Sequence, residues 1–359
     1  MTGACPEYQR PCGRFVDDKT QEIIFYWQND DGVYQISIYD ISRRRWVNKT
    51  KNFKKIAMPN SPLSEELVRE PLPDHNGSAG TLCRLSGRRV ILLYGGFNER
   101  EDAPTRNFYM IDIDRSRWWK VDVPGHIPPR VDATMVFIKD TLYIFGGRRQ
   151  ESYSMAQFNS EHAWDWIVTR EPYPAHIVLG YPGDSISVFG GDKILLLPGY
   201  PNEKIQEVNY SPSKTVLFDT KKRSFQVYGD MGGKFPTKII GCDIFLAKSQ
   251  HFLGQETWRV KVEDQEVLGQ DANCSVILVA WKSTFEGRRD VPEVWLFNLS
   301  LSQPSTSNTC CAGLREELKE EDVSLLTCAV VVDDRVIIFG STDEVDEEKK
   351  FDVCVELKL

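Results

Sequence analysis

The chain is 359 residues long, 41% apolar and 11% aromatic, with a formal net charge of −8. That composition can fill a buried core and excludes a disordered chain. The acidic balance excludes a general nucleic-acid binder, which needs a basic face, and no run of about 18 apolar residues is present to predict a membrane-spanning helix.

In chain order, Met1–Glu7 lacks the apolar core of a secretory signal. The nine cysteines are scattered without metal-type spacing, so the expectation is reduced thiols in a cytoplasmic protein. The sequons at Asn48, Asn76, Asn273 and Asn298 are read as chance matches in that setting. Ile23–Trp27 is the first apolar strand, and Tyr39-Asp40 leads to Trp46. Lys51–His75 is read as an inserted loop, too polar and Pro-rich for a strand, with one helical turn at Ser64–Arg69. Val90–Tyr94 runs into Gly95-Gly96, and Ile111-Asp112 leads to Trp118 with the spacing of Asp40 and Trp46. Leu142–Phe145 runs into Gly146-Gly147; Ile194–Leu197 follows, and Phe218-Asp219 leads to Phe225 at the same interval again. Ile244–Ala247, Val276–Ala280 and Val336–Phe339 complete seven such strands, and Phe351–Leu357 ends the chain as one more.

A unit of about 50 residues made of short alternating strands is the signature of a β-propeller. In each unit a Gly pair is expected where the backbone turns or approaches a neighbour too closely for a Cβ. The Asp is expected to cap the turn before the last strand, and the aromatic to fill the wedge between sheets. The expected fold is all-β, one propeller domain over residues 1–359 with 51–75 inserted, of seven blades with six as the alternative. The last strand lacks a partner in its own unit, so Pro6–Arg10 is expected to pair with it and close the ring.

Tyr143–Arg148, Leu93–Gly96, Pro129-Arg130 and the Asp-to-aromatic spacings resemble kelch repeats. The resemblance is specific in the second to fourth units and the last, partial in the first, and degraded between Lys234 and Ser302. It implies a platform whose post-Gly-Gly loops gather on one face around the channel mouth.

No enzymatic pattern of this superfamily is met. A copper-radical oxidase resembling galactose oxidase needs paired histidine ligands, and His75, His126, His162, His176 and His251 are far apart. The acidic run Asp343–Glu348 has no histidine for an iron site. Gly229–Phe235 lacks the spacing and the Ser/Thr of a phosphate loop. No catalytic motif and no cofactor or metal is assigned, and whether the chain is an enzyme stays open. The acidic stretch Glu316–Asp322 is read as a solvated helical turn.

Arginines recur where the resemblance places the loops: Arg100 and Arg106 after Gly95-Gly96, Arg148 and Arg149 after Gly146-Gly147, and Arg130 before an inner strand. Their planar donor forks suit carboxylates and phosphates, although local acids such as Glu99, Asp102 and Glu151 can equally hold them. Phe97, Tyr153, Tyr200 and Trp281 offer aromatic contact area beside them, with blade packing the alternative for Trp281. Two functions remain open on these residues. One is a cytoplasmic interaction module binding a protein or acidic peptide through Arg100, Arg106, Arg130, Arg148, Arg149, Tyr200 and Trp281. The other is a propeller that binds or transforms a small anionic metabolite at the channel mouth. Neither nucleic acid nor membrane is an expected partner.

Overall fold

The computed structural model describes residues 13–17, 19–29, 31–50, 53–56, 71–73, 76–147, 153–160, 163–168, 182–188, 191–198, 214–230, 239–246, 273–282, 292–300, 308–310, 325–332, 335–341 and 353–358. Among them the regular structure is almost entirely β-strand, in small antiparallel sheets. The chain divides into two compact units: Met1–Tyr173 with Val345–Asp352, and Pro174–Glu344 with Val353–Leu359.

The first unit holds three large sheets. Sheet 1 is β1 (Gly13–Asp17), β2 (Glu22–Gln28), β3 (Tyr34–Asp40) and β4 (Arg45–Asn48), in that order. The strands that follow are β5 (Lys54–Lys55), β6 (Ser78–Leu85), β7 (Arg88–Gly95), the pair β8 (Phe97–Asn98) and β9 (Ala103–Pro104), then β10 (Phe108–Asp112) and β11 (Arg117–Val121). Sheet 2 has the order β5-β11-β10-β7-β6, and β8 pairs with β9 apart from it. Sheet 3 is β12 (Ala133–Ile138), β13 (Thr141–Gly146), β14 (Tyr153–Ser160) and β15 (Ala163–Val168). Alternation explains the layering: Ile24, Tyr26, Ile36 and Ile38 of sheet 1 pack with Ile91, Leu93 and Ile111 of sheet 2. Leu92, Tyr94, Phe108 and Met110, on the other face of sheet 2, pack against sheet 3. There Phe108 meets Trp164 and Trp166 edge-on, with ring centroids 5.1 and 5.4 Å apart. β1 lies beside β6 and β6 beside β12, so one edge strand of each sheet neighbours an edge strand of the next.

The second unit repeats the plan. Its sheets are β16 (Pro182–Val188), β17 (Lys193–Pro198), β18 (Lys214–Asp219) and β19 (Ser224–Asp230), then β20 (Ile239–Leu246), β21 (Asn273–Lys282), β22 (Pro292–Ser300) and β23 (Asn308–Cys310). A three-stranded sheet of β24 (Leu325–Val332), β25 (Arg335–Ser341) and β26 (Val353–Lys358) follows. Again edge strands adjoin, β16 with β20 and β20 with β24.

Three expectations meet these facts differently. Ile244–Ala247 and Val276–Ala280 were each expected to be the pre-Gly-Gly strand of a separate unit, but Ile244 pairs with Leu278 and Phe245 with Ile277, so the two runs belong to one sheet. Two equally apolar runs joined by a long connection look alike whether they pair with each other or not. The described residues therefore contain six large sheets. Within the expected inserted loop, Lys54-Lys55 runs parallel to Arg117-Trp118 as an edge strand. The Lys54 and Ile56 amides donate to the Ser116 and Trp118 carbonyls, both at 3.0 Å, and such main-chain bonding is indifferent to the polar side chains. Phe53 and Leu72 anchor the ends of this segment in the core between sheets 1 and 2. Pro6–Arg10 and Ser64–Arg69 lie outside the described residues.

The Asp-to-aromatic phrase is one structural unit in three sheets. Tyr39 pairs with Trp46, Ile111 with Trp118 and Phe218 with Phe225, which places the aromatics at one register position. Asp40, Asp112 and Asp219 each accept turn amides: Arg43 at 3.0 Å, Arg115 at 2.9 Å, and Lys221 and Lys222 at 3.0 and 2.8 Å. Arg44, Ser116 and Arg223 take the left-handed conformation (φ 49°, 51° and 54°) at the same place in each turn. Trp46 and Trp118 are both 4% exposed, whereas Phe225 is half-buried.

Candidate interaction surfaces at the two ends of the first unit

One end of sheet 2 is built on Gly95 and Gly96, with φ of 79° and 99°. A Cβ on Gly95 would run into the Arg130 carbonyl, and one on Gly96 would lie 2.9 Å from the Asn76 carbonyl as well as against the Ser78 hydroxyl. This close approach makes a hydrogen-bonded node. The Gly96 amide donates to Arg130 O at 2.8 Å, the Phe97 amide to Asn76 O at 2.8 Å, and the Thr105 amide to Gly96 O at 2.8 Å. The β8–β9 hairpin therefore leaves the sheet on a fixed main chain.

Arg100 and Arg106 are carried by this hairpin and are exposed. Arg106 also donates to the Gly125 carbonyl, which ties the hairpin to the segment before β12. Glu99, Glu101, Asp102 and Asp122 are exposed around them, so this end carries both signs of charge. Glu99 accepts from the Asn76 amide at 3.0 Å. Arg130 differs from its neighbours in the sequence expectation: it is 1% exposed. Its guanidinium donates to the Gly146 carbonyl and, at 3.0 Å, to the Ser154 hydroxyl. Its own amide donates to Thr105 O at 3.1 Å. Arg130 thus joins the hairpin of sheet 2 to β13 and β14 of sheet 3, where a buried charge is held by hydrogen bonds. The Tyr94 hydroxyl, bonded to Pro128 O at 2.8 Å, lies nearby; burial drives its pKa up against the charges of Arg130 and Arg106.

Of the other expected contact residues, Arg148, Arg149 and Tyr200 lie outside the described residues. Trp281 stands in β21, opposite Gly241 on one side and Pro292 on the other. Tyr153 is buried and stacks on Phe145 at 5.7 Å, so it belongs to the core. Phe97 is half-buried.

At the opposite end of sheets 1 and 2, a set of ion pairs escaped the sequence reading. Arg84 donates to both carboxylate oxygens of Asp17, at 2.8 and 2.7 Å. Arg89 is buried and binds the Asp114 carboxylate through its amide at 2.9 Å and Nε at 2.8 Å, and it also reaches Glu22. Arg88 binds Asp112 at 2.7 Å. Asp17 and Glu22 belong to sheet 1 and the arginines to sheet 2, so these pairs clamp one sheet to the next. Burial works against the Asp114 charge, but the Arg89 amide and side chain outweigh it and hold the carboxyl below its ordinary range. Asp40 shifts the same way: burial opposes, while the Ser42 hydroxyl, the Arg43 amide and the charges of Arg43 and Arg45 prevail.

Among the described residues, no group of three or more His, Cys, Asp or Glu side chains is placed to hold a metal ion. None of their helices is long and apolar enough to cross a membrane. No protein-family model matches the chain. A stretch of 166 residues, 43% of the chain, is 26% identical to part of the Rho GTPase-activating protein gacHH of Dictyostelium discoideum. The match spans 10% of that protein's length.

Proposed function

We propose that the chain is an interaction module on a kelch-type propeller plan, whose Gly-Gly-end loops engage a protein or peptide partner in the cytoplasm. The repeated four-stranded sheet, with edge strands adjoining inside each unit, favours that plan, and the pairing of β20 with β21 favours six blades over seven. The observation that carries the functional reading is the β8–β9 hairpin: a main chain held at both ends, with Arg100 and Arg106 exposed among acidic neighbours. Prearranged loops of mixed charge suit an extended, polar protein contact, since little ordering entropy is lost on binding. A channel-mouth anion pocket would draw on Arg130, and that guanidinium is buried and engaged with Gly146 and Ser154. The similarity to a tenth of a longer protein also fits a module.

Purification of the tagged protein from its own cells, followed by mass spectrometry, tests the reading. The parent is expected to retain a protein that the Arg100→Glu, Arg106→Glu variant loses at unchanged melting temperature. Retention of a small anion instead, or of proteins indifferent to both positions, would overturn it.

A further inference from the structure

The turn end of the first unit has a charge organisation unlike the chain as a whole. Asp17, Glu22 and Asp40 meet at one end of sheet 1, because Asp17 and Asp40 both pair with Glu22. Asp112, Asp114 and Arg89 occupy one end of sheet 2, and the Arg84–Asp17 and Arg89–Glu22 ion pairs join the two ends. Each of these carboxylates is engaged within the unit: Asp17, Asp40 and Asp112 are buried, Glu22 is half-buried, and Asp114 is 35% exposed. Asp40 and Asp112 accept turn amides, and Asp17, Glu22 and Asp114 pair with Arg84 and Arg89.

Asp114 apart, the exposed charged side chains of these turns are basic among the described residues. Arg43, Arg44 and Arg45 are exposed on the turn of sheet 1, and Lys54 and Arg115 at the matching turn of sheet 2. Arg43 remains 66% exposed even with Asp40 3.5 Å away. The turn main chain fixes their spacing, through the left-handed residues Arg44 and Ser116 and the Lys54–Ser116 hydrogen bond. The crowding is felt within the cluster: burial lowers the Arg117 pKa, Asp112 opposes, and Arg115 and Arg88 add to the lowering. A chain of net charge −8 thus carries a basic rim on one end of one unit.

We propose that this turn end is a docking surface for an acidic polypeptide segment. Arginine forks bind carboxylates at this very end, where Arg84 and Arg89 take Asp17 and Asp114, and the exposed arginines offer the same fork to a carboxylate of another chain. A bilayer is disfavoured because Val33, a large apolar side chain exposed among the described residues, lies in the β2–β3 turn at the other end of sheet 1. This surface is separate from the Gly-Gly-end hairpin and stands or falls independently of the function proposed for it.

The test is fluorescence anisotropy of a labelled oligoglutamate peptide with the intact chain. Saturable binding that weakens with added salt is expected, with no binding of an oligoglutamine peptide. Arg43→Glu with Arg44→Glu should weaken binding at least about tenfold, and so should Lys54→Glu with Arg115→Glu, which leaves the sheet 1 turn intact. Arg100→Glu with Arg106→Glu should leave it unchanged. The proposal is overturned if the peptide does not bind, or if it binds all three variants alike. It is also overturned if phosphatidylserine vesicles or oligouridylate bind to the rim in the peptide's place.

Discussion

The two ends of the first unit set different buried charges against the backbone. At the turn end Asp112 is wholly buried while Arg43, Arg45 and Arg115 are exposed, with the Arg89–Asp114 pair reversed, the base buried and the acid exposed. At the Gly-Gly end an arginine, Arg130, is buried, and Arg100 and Arg106 are exposed among Glu99, Glu101 and Asp102. The contrast follows from backbone polarity. A tight turn offers amide hydrogens, which a buried carboxylate satisfies. The Gly-Gly crossing offers carbonyl oxygens such as that of Gly146, which a buried guanidinium satisfies.

The largest effect is expected at the turn end, where Trp118 lies near the start of β11. Trp118→Ala should cost about 3–5 kcal/mol by denaturant titration, as for a large buried aromatic, with Phe225→Ala well below it because Phe225 is half-buried. Equal losses would show that the shared register sets the packing energy whatever the difference in exposure. Two glycines then isolate the difference between the ends, since Gly87 and Gly95 have the same φ of 79°. Gly95→Ala should cost roughly 2–4 kcal/mol through its collision with the Arg130 carbonyl. Gly87, with nothing within 4 Å of its Cβ position, should lose only about 1 kcal/mol.

Arg89→Met should cost about 2 kcal/mol, because it leaves Asp114 without its partner within sheet 2 and Glu22 without its partner across the sheets. A matching loss on Glu22→Gln, with less than the sum in the double variant, would locate the clamp between the sheets. The smallest effect is the acid response. The carboxyls of Asp40, Asp114 and Asp219 have depressed folded pKa values, so their stabilisation is complete above the ordinary value of 3.8 and drains as pH falls below it. Melting temperature should fall through that range, and Asp114→Asn should flatten the fall without steepening it elsewhere.

The strands, their Gly ends and the Asp-capped turns were legible because each rests on a local rule: period-two alternation, positive φ, and a carboxylate two or three residues from the amides it accepts. What was not legible depends on distant neighbours. Nothing local distinguishes Arg130, which is buried, from Arg106, which is exposed. Arg84 and Arg89 carry no local mark of a partner, and only the fold brings Asp17 and Glu22 of sheet 1 against them. The pairing of Ile244 with Leu278 likewise depends on where a long connection returns.

The parallel placement of Lys54-Lys55 beside β11 has a consequence for how this protein keeps itself from aggregating. An outer strand whose carbonyls are exposed invites a strand from another molecule. Here Ser116 and Trp118 already have a tenant from the same chain, and the tenant's Lys55 ammonium lies 5.3 Å from the centre of the Trp118 ring. Any strand arriving next would face two lysines in a row, so sheet 2 ends in a segment that is itself a poor template for further growth.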